Sequence, residues 1–327
     1  MSELINFDQK SIKTWSLIGS RATFGMVSLD LAKNIEDLMI LTCDVSTSAG
    51  LDRFRKSFPE KYLDVGIAEQ NLIGIAAGLS STGYKVFTTT FAPFQTMRCC
   101  EQIKVNLGYM KKKVNMIGLA SGLVLGNLGY THCCIEDISI IRSIPNIAIL
   151  SPADCTETAK AIEASINYKS SVYIRLTGSQ NNPIVYKNDY KYEIGKLIEL
   201  KTGKDITIFS TGTMVYESLE AEKILQAQGI SCSVIDVHTI KPIDSAAIVE
   251  LSKKSKLFVS VEEHSIVGGL GSAIAEVNST IKNSPEHLII GIPDKYEISG
   301  DYEYIKEKYG LSSKLIAKKI FDKYKTL

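Results

Sequence analysis

A carboxylate, Glu69, stands at the head of a helix-like segment in Gly66-Ile67-Ala68-Glu69-Gln70-Asn71, and two aromatic residues, Phe91 and Phe94, follow downstream. An acid can hydrogen-bond one edge of a flat nitrogen heterocycle while aromatic rings stack on its face. The combination points to an enzyme with a heterocyclic cofactor. The plain alternative is an acid that complements the helix dipole and phenylalanines that fill the core.

The elements that must position these groups are legible as alternating patterns. Residues 38–43 form a short apolar run that ends at Asp44 and reads as a buried strand. Residues 71–79 read as a helix with Leu72, Ile75, Ala76 and Leu79 on one face. Gly74 and Gly78 lie one turn apart in it, which predicts close backbone packing there. A strand over 86–90, a helix over 94–107 and a strand over 114–119 follow. A short helix over 136–143 stops ahead of Pro145, and 147–150, 156–168 and 172–175 continue as strand, helix and strand. Such alternation implies βαβ units and a mainly parallel sheet covered on both faces. Residues 179–192 are polar and rich in Asn and Tyr, and read as an interdomain connection. A second α/β unit has strands over 205–210, 231–237, 256–261 and 287–291, with helices over 214–228, 245–253 and 271–278. The expected organisation is α/β in two domains, 1–180 and 204–327, joined by a linker over 181–203.

Composition narrows the class. The 327 residues carry 37 basic and 36 acidic side chains, a formal charge of +1, which gives no electrostatic case for a nucleic-acid partner. The lysine-rich stretch 302–325 reads as a solvated helix face. The N-terminal residues lack the basic and apolar regions of a secretory signal, and no apolar run approaches the roughly 18 residues that span a bilayer. Seven cysteines, with adjacent pairs at 99–100 and 133–134, fit neither a disulfide framework nor a zinc site. Reduced thiols in a cytoplasmic protein are the expectation.

Several ordered runs give the chain a resemblance to the C-terminal portion of a transketolase, namely its pyrimidine-binding domain plus its C-terminal domain. They are Val65-Gly66-Ile67-Ala68-Glu69-Gln70-Asn71, Thr90-Phe91-Ala92-Pro93-Phe94, Gly129-Tyr130-Thr131-His132, Ser151-Pro152-Ala153-Asp154 and, further on, Asp236-Val237-His238-Thr239-Ile240-Lys241-Pro242 and Val261-Glu262-Glu263-His264. The resemblance implies thiamine diphosphate with Mg2+ as cofactor. It implies that Glu69 bonds the aminopyrimidine ring nitrogen and promotes the imino tautomer, whose imine then takes the thiazolium proton. Burial would raise the pKa of such an acid and a helix N-terminus would lower it; the sequence leaves that balance open. Phe91 and Phe94 match the stacking aromatics, and Asp44 joins them as a cofactor-binding residue. Arg21, Ser48 and Arg175 match positions that bind a sugar phosphate, for which a guanidinium fork is suited. His132 matches a histidine beside the reacting carbons, placed for proton transfer or carbonyl polarisation.

The chain also departs from that pattern. Met97 replaces a third aromatic. Ala120-Ser121-Gly122 replaces a segment with a phosphate-site histidine, and Leu128 replaces an aspartate that reads a sugar hydroxyl. A buried apolar group there would shift selectivity towards a modified sugar. The Gly-Asp-Gly segment and metal-binding Asn that hold the diphosphate have no match. The resemblance therefore implies a split enzyme: an N-terminal partner subunit supplies the diphosphate and metal ligands, this chain has no metal site of its own, and the assembly is an α2β2 heterotetramer. The expected reaction moves a two-carbon ketol unit from a ketose to an aldose. The alternatives are a 2-oxoacid dehydrogenase beta subunit, a deoxyxylulose-phosphate-synthase-like enzyme, or a non-catalytic partner subunit.

Overall fold

β1 (Leu38–Thr42) sends Leu38 and Ile40 into one apolar layer and Leu41 into another, as a strand buried on both faces must. The chain is seen in a computed structural model that describes residues 4–296 and 299–327; Met1, Ser2 and Glu3, part of the N-terminal stretch read above, lie outside it. Helices α1 (Gln9–Ile18) and α2 (Ser20–Asn34) lead into β1. After it come α3 (Asp52–Ser57), β2 (Tyr62–Asp64), α4 (Glu69–Ser81) and β3 (Lys85–Phe91). Short helices α5 (Ala92–Gln95) and α6 (Cys100–Gln102) run into a π-helical stretch, Ile103–Tyr109, before β4 (Val114–Leu119). The unit closes with α7 (Asp137–Arg142), β5 (Ile147–Leu150), α8 (Cys155–Ile166) and β6 (Ser171–Arg175). Its strands pair in parallel in the order β5-β6-β4-β3-β1-β2. Trp15, Phe24 and Ile162 cover one face of this sheet; Leu72, Ile73 and Ile138 cover the other.

The second domain repeats the scheme. β7 (Ile198–Lys201), β8 (Ile206–Ser210), α9 (Met214–Gln226), β9 (Cys232–Asp236) and β10 (Thr239–Lys241) precede α10 (Ser245–Ser252) and β11 (Leu257–Ser265). α11 (Leu270–Asn278), β12 (Glu286–Ile292), α12 (Tyr302–Lys308) and α13 (Ser313–Tyr324) complete it. The sheet order is β12-β11-β8-β9-β7, parallel except for β7 against β9. The architecture is thus α/β, with two mainly parallel sheets flanked by helices.

Four local expectations change. The helix over 94–107 is broken: the chain turns at 96–99, where Thr96 Oγ1 donates to Ala92 O (2.7 Å), and Arg98 leaves towards Glu69. Gly74 and Gly78 meet no atom within 4 Å of a built Cβ, so their helix face is open rather than closely packed. Residues 198–201, expected within the linker, form edge strand β7. β10 leaves its own domain and pairs antiparallel with β5, extending the first sheet to seven strands. The rest of the connection is a strap rather than a loose linker. Val185 and Tyr186 donate backbone N–H groups to Asp154 Oδ2 (both 2.8 Å), Tyr186 donates its hydroxyl to Asp236 Oδ2 (2.6 Å), and Tyr190 donates to Glu157 Oε1 (2.8 Å).

The lysine-rich C-terminal stretch forms α12 and α13. They bury Ile305, Ile316, Ala317 and Ile320, while Lys306 is drawn inward by Glu217 at 2.9 Å. All seven cysteines are free. Among the described residues no helix is long and apolar enough to cross a membrane, and no group of three or more His, Cys, Asp or Glu side chains clusters as a metal site.

Candidate active site

The ends of β1, β2 and β3 deliver Asp44, Glu69, Phe91 and Phe94 to one edge of the first sheet, outside the carboxyl ends of its parallel strands, where open α/β sheets place their ligands. Asp44 follows β1 with φ +56°, and its backbone N–H donates to Asp64 Oδ1 (2.9 Å). The same oxygen accepts the Gly66 N–H (2.9 Å), and Gly66 adopts φ +71°. This turn sets the start of α4, so that Glu69 is its first residue and only 5 % exposed. The Asp44 side chain is exposed.

Glu69 Oε1 accepts a hydrogen bond from Arg98 Nη1 at 2.8 Å, and the Arg98 guanidinium carbon lies 4.0 Å from the centroid of the Phe94 ring. Phe94 meets Phe91 edge-on at 6.4 Å and His132 edge-on at 5.5 Å, while Phe91 and His132 are 6.3 Å apart. The structure therefore brings Glu69, Phe91, Phe94 and His132 into one cluster. His132 closes a 3₁₀ segment, Gly126–Thr131, with its Nδ1 3.0 Å from Thr131 Oγ1.

Arg21 and Ser48 also come together. They line one cleft of about 570 Å³ with Gly19, Thr47, Gly178 and Gln180. The approach depends on two glycines. A Cβ on Gly25 would lie 2.0 Å from Gly50 O, and one on Gly50, itself at φ +72°, would lie 2.8 Å from Ala22 Cα. Only bare backbone lets the loop carrying Ser48 cross α2 beside Arg21. Partial burial lowers the pKa of the Arg21 guanidinium.

Arg175 requires a correction. It does not line that cleft; it is 1 % exposed and belongs to the junction between the domains. Its Nε donates to Asp137 Oδ2 (2.8 Å) and Nη2 donates to Glu263 O (2.7 Å). Burial alone would lower its pKa, but the Asp137 and Glu263 carboxylates push it above its ordinary value. An arginine committed to buried oxygens is a tie between domains, not an anchor for an arriving phosphate. Leu128 also differs from expectation: at 58 % exposure it presents an apolar side chain to solvent, not a buried one. Ala120 is buried at φ +51°, and Gly122 lies so close to Glu263 that a Cβ would fall 2.2 Å from its Oε1.

Arg98 is the residue that the sequence reading missed. It is the only cation between Lys85 and Lys104, and it follows directly on Met97, which is 43 % exposed. A lone positive charge four residues past Phe94 was the available signal.

Comparison with known proteins follows the same division of the chain. Residues 17–182 match the transketolase pyrimidine binding domain, and residues 195–316 match the transketolase C-terminal domain. A protein of Methanocaldococcus jannaschii, provisionally named a transketolase C-terminal section, is 40% identical over 94% of this chain and 96% of its own length. A protein of Phocaeicola vulgatus, named as one of the subunits of an apulose-4-phosphate transketolase, is 36% identical over 93% of this chain and 96% of its own. A solved split-gene transketolase, described as an inactive beta4 tetramer, superposes with a TM-score of 0.84 at 36% identity, covering 92% of this chain and 96% of that one.

Proposed function

Because this chain belongs to the transketolase family, we propose that it is the C-terminal, ring-binding subunit of a two-component transketolase, a transferase that moves a two-carbon ketol unit. The observation that carries this reading is the cluster of Glu69, Phe91, Phe94 and His132 at the carboxyl edge of the first sheet. Its chemistry fits the pyrimidine of thiamine diphosphate: a flat group bearing N–H donors, the Arg98 guanidinium, already satisfies Glu69 and Phe94 together. When bound, the cofactor supplies the nucleophilic carbon and the electron sink.

The residues of this chain hold and orient. Glu69, only 5 % exposed, holds a proton between its carboxylate oxygen and a ring nitrogen. Phe91 and Phe94 give the ring an apolar face. His132, edge-on to both aromatics, is placed to move a proton at a substrate oxygen. Arg21 and Ser48 hold an anionic end of the substrate, which supports sugar phosphates as substrates. Asp44, at the same edge, borders the cofactor. The diphosphate and Mg2+ ligands belong to an N-terminal partner subunit, in an α2β2 assembly; relatives of similar length, one named as a subunit and one as a split-gene transketolase, support this split. Seven free thiols support a cytoplasmic setting.

The test is reconstitution. This chain is mixed with its candidate partner, thiamine diphosphate and Mg2+, and ketol transfer between sugar phosphates is assayed. Turnover is expected in the mixture and not from this chain alone; turnover without any partner contradicts the reading.

A further inference from the structure

Glu69 and Phe94 are both engaged by one side chain. Arg98 Nη1 lies 2.8 Å from Glu69 Oε1, and its guanidinium carbon lies 4.0 Å from the Phe94 centroid. We propose that Arg98 is a stand-in for the cofactor's ring: in the unloaded subunit its guanidinium covers both anchors, and loading requires it to swing out. This rests on the reading of Glu69 and Phe94 as the anchors of that ring.

A guanidinium is flat and presents N–H donors at its edge, so it meets the same two demands as an aminopyrimidine. Two flat groups cannot share one face of one phenyl ring. Glu69 also needs a partner while it waits: its side chain is only 5 % exposed, and an ionised carboxylate left unpaired there is costly. Arg98 supplies one. The exchange is easy on the side of Arg98. It sits on the turn between α5 and α6, and its side chain is 42 % exposed, already at the edge of the solvent. The turn itself stays tied to α4 while the side chain moves, because Gln70 Nε2 donates to the Arg98 carbonyl at 3.2 Å. Met97 beside it is slim and exposed, which leaves the guanidinium a path outward.

A site that is self-occupied part of the time binds its ligand more weakly by the fraction that is open. Removing Arg98 therefore tightens binding. The experiment is calorimetric titration of thiamine diphosphate with Mg2+ into the assembled complex, for the native chain and for Arg98→Ala. The variant is expected to bind about 3- to 10-fold tighter, the scale of a partly exposed ion pair together with a cation–π contact. The rise in Tm on loading is expected to be larger in the variant, because its unloaded form has lost the partner of Glu69. Should Arg98→Ala fail to assemble, Arg98→Gln, which keeps length without charge, carries the same expectation. Equal or weaker binding by the variant overturns the proposal and makes Arg98 a permanent brace. Absence of saturable binding by the native complex overturns the ring-site reading itself, and this proposal with it.

Discussion

Arg98 and Arg175 each answer a carboxylate at the first position of a helix, Glu69 in α4 and Asp137 in α7, each at 2.8 Å. Their surroundings set them apart. Arg175 and Asp137 are 1 % and 0 % exposed, with Tyr173 donating its hydroxyl to the same carboxylate at 2.7 Å and the second domain's Glu263 carbonyl closing over the pair. Arg98 is nearly half in water and rests on a ring. An ion pair sealed on all sides is a fixed part of the fold, because breaking it strands a buried charge. An ion pair with one exposed member can be exchanged for a ligand. The same two residue types thus build a domain tie in one place and an openable site in the other.

Breaking the tie should have the largest effect. Arg175→Met is expected to cost about 3–5 kcal/mol through the uncompensated Asp137 carboxylate, a large share of a domain's usual stability. Urea unfolding measures it; a loss below about 1 kcal/mol would place Arg175 with the exchangeable pairs.

A second contrast comes from the strap. Desolvation pushes the Asp236 carboxyl up to about 7, and Glu157 well above its ordinary value, with Asp154, Tyr186, Tyr190 and Tyr192 packed around them. A carboxyl with a raised folded pKa favours the folded state at low pH, and that contribution is lost as pH rises towards 7. Asp236→Asn has no such loss. Its stability relative to the native chain is expected to climb between about pH 4 and 7 and then level off. Urea unfolding across that range checks the sign, and a gap that does not vary with pH refutes it.

The smallest effect is expected at the rim. Leu128→Asp, on an exposed position, should leave stability within about 0.5 kcal/mol and change the ratio of kcat/KM between hydroxylated and deoxygenated substrates several-fold. An unchanged ratio would remove Leu128 from the specificity surface.

Much of this was legible in the sequence. The alternation of strands with helices announced a mainly parallel sheet covered on both faces, and the order of the motifs named Glu69, Phe91, Phe94 and His132, which the structure brings into one cluster. The same route failed for Arg175, because position in a motif does not reveal that Asp137 and Glu263 enclose it. It failed for Leu128, whose exposure depends on how a 3₁₀ segment turns, and for β10, whose pairing joins residues about ninety positions apart in the register of Thr239 with Leu150. Gly74 and Gly78 suggested packing that this chain does not itself supply. Arg98 was missed because its meaning lies in a helix break, set by the turn at 96–99, that helical propensity alone does not foretell.

The central claim is that Glu69 anchors a ring in an assembled enzyme. Glu69→Gln keeps the shape of the side chain and removes its charge, so assembly and Tm should change little while the chemistry suffers. Ketol transfer by the reconstituted complex carrying Glu69→Gln is the most direct measurement: a loss of about 10²- to 10⁴-fold in kcat is predicted, and turnover equal to that of the native complex would contradict the account.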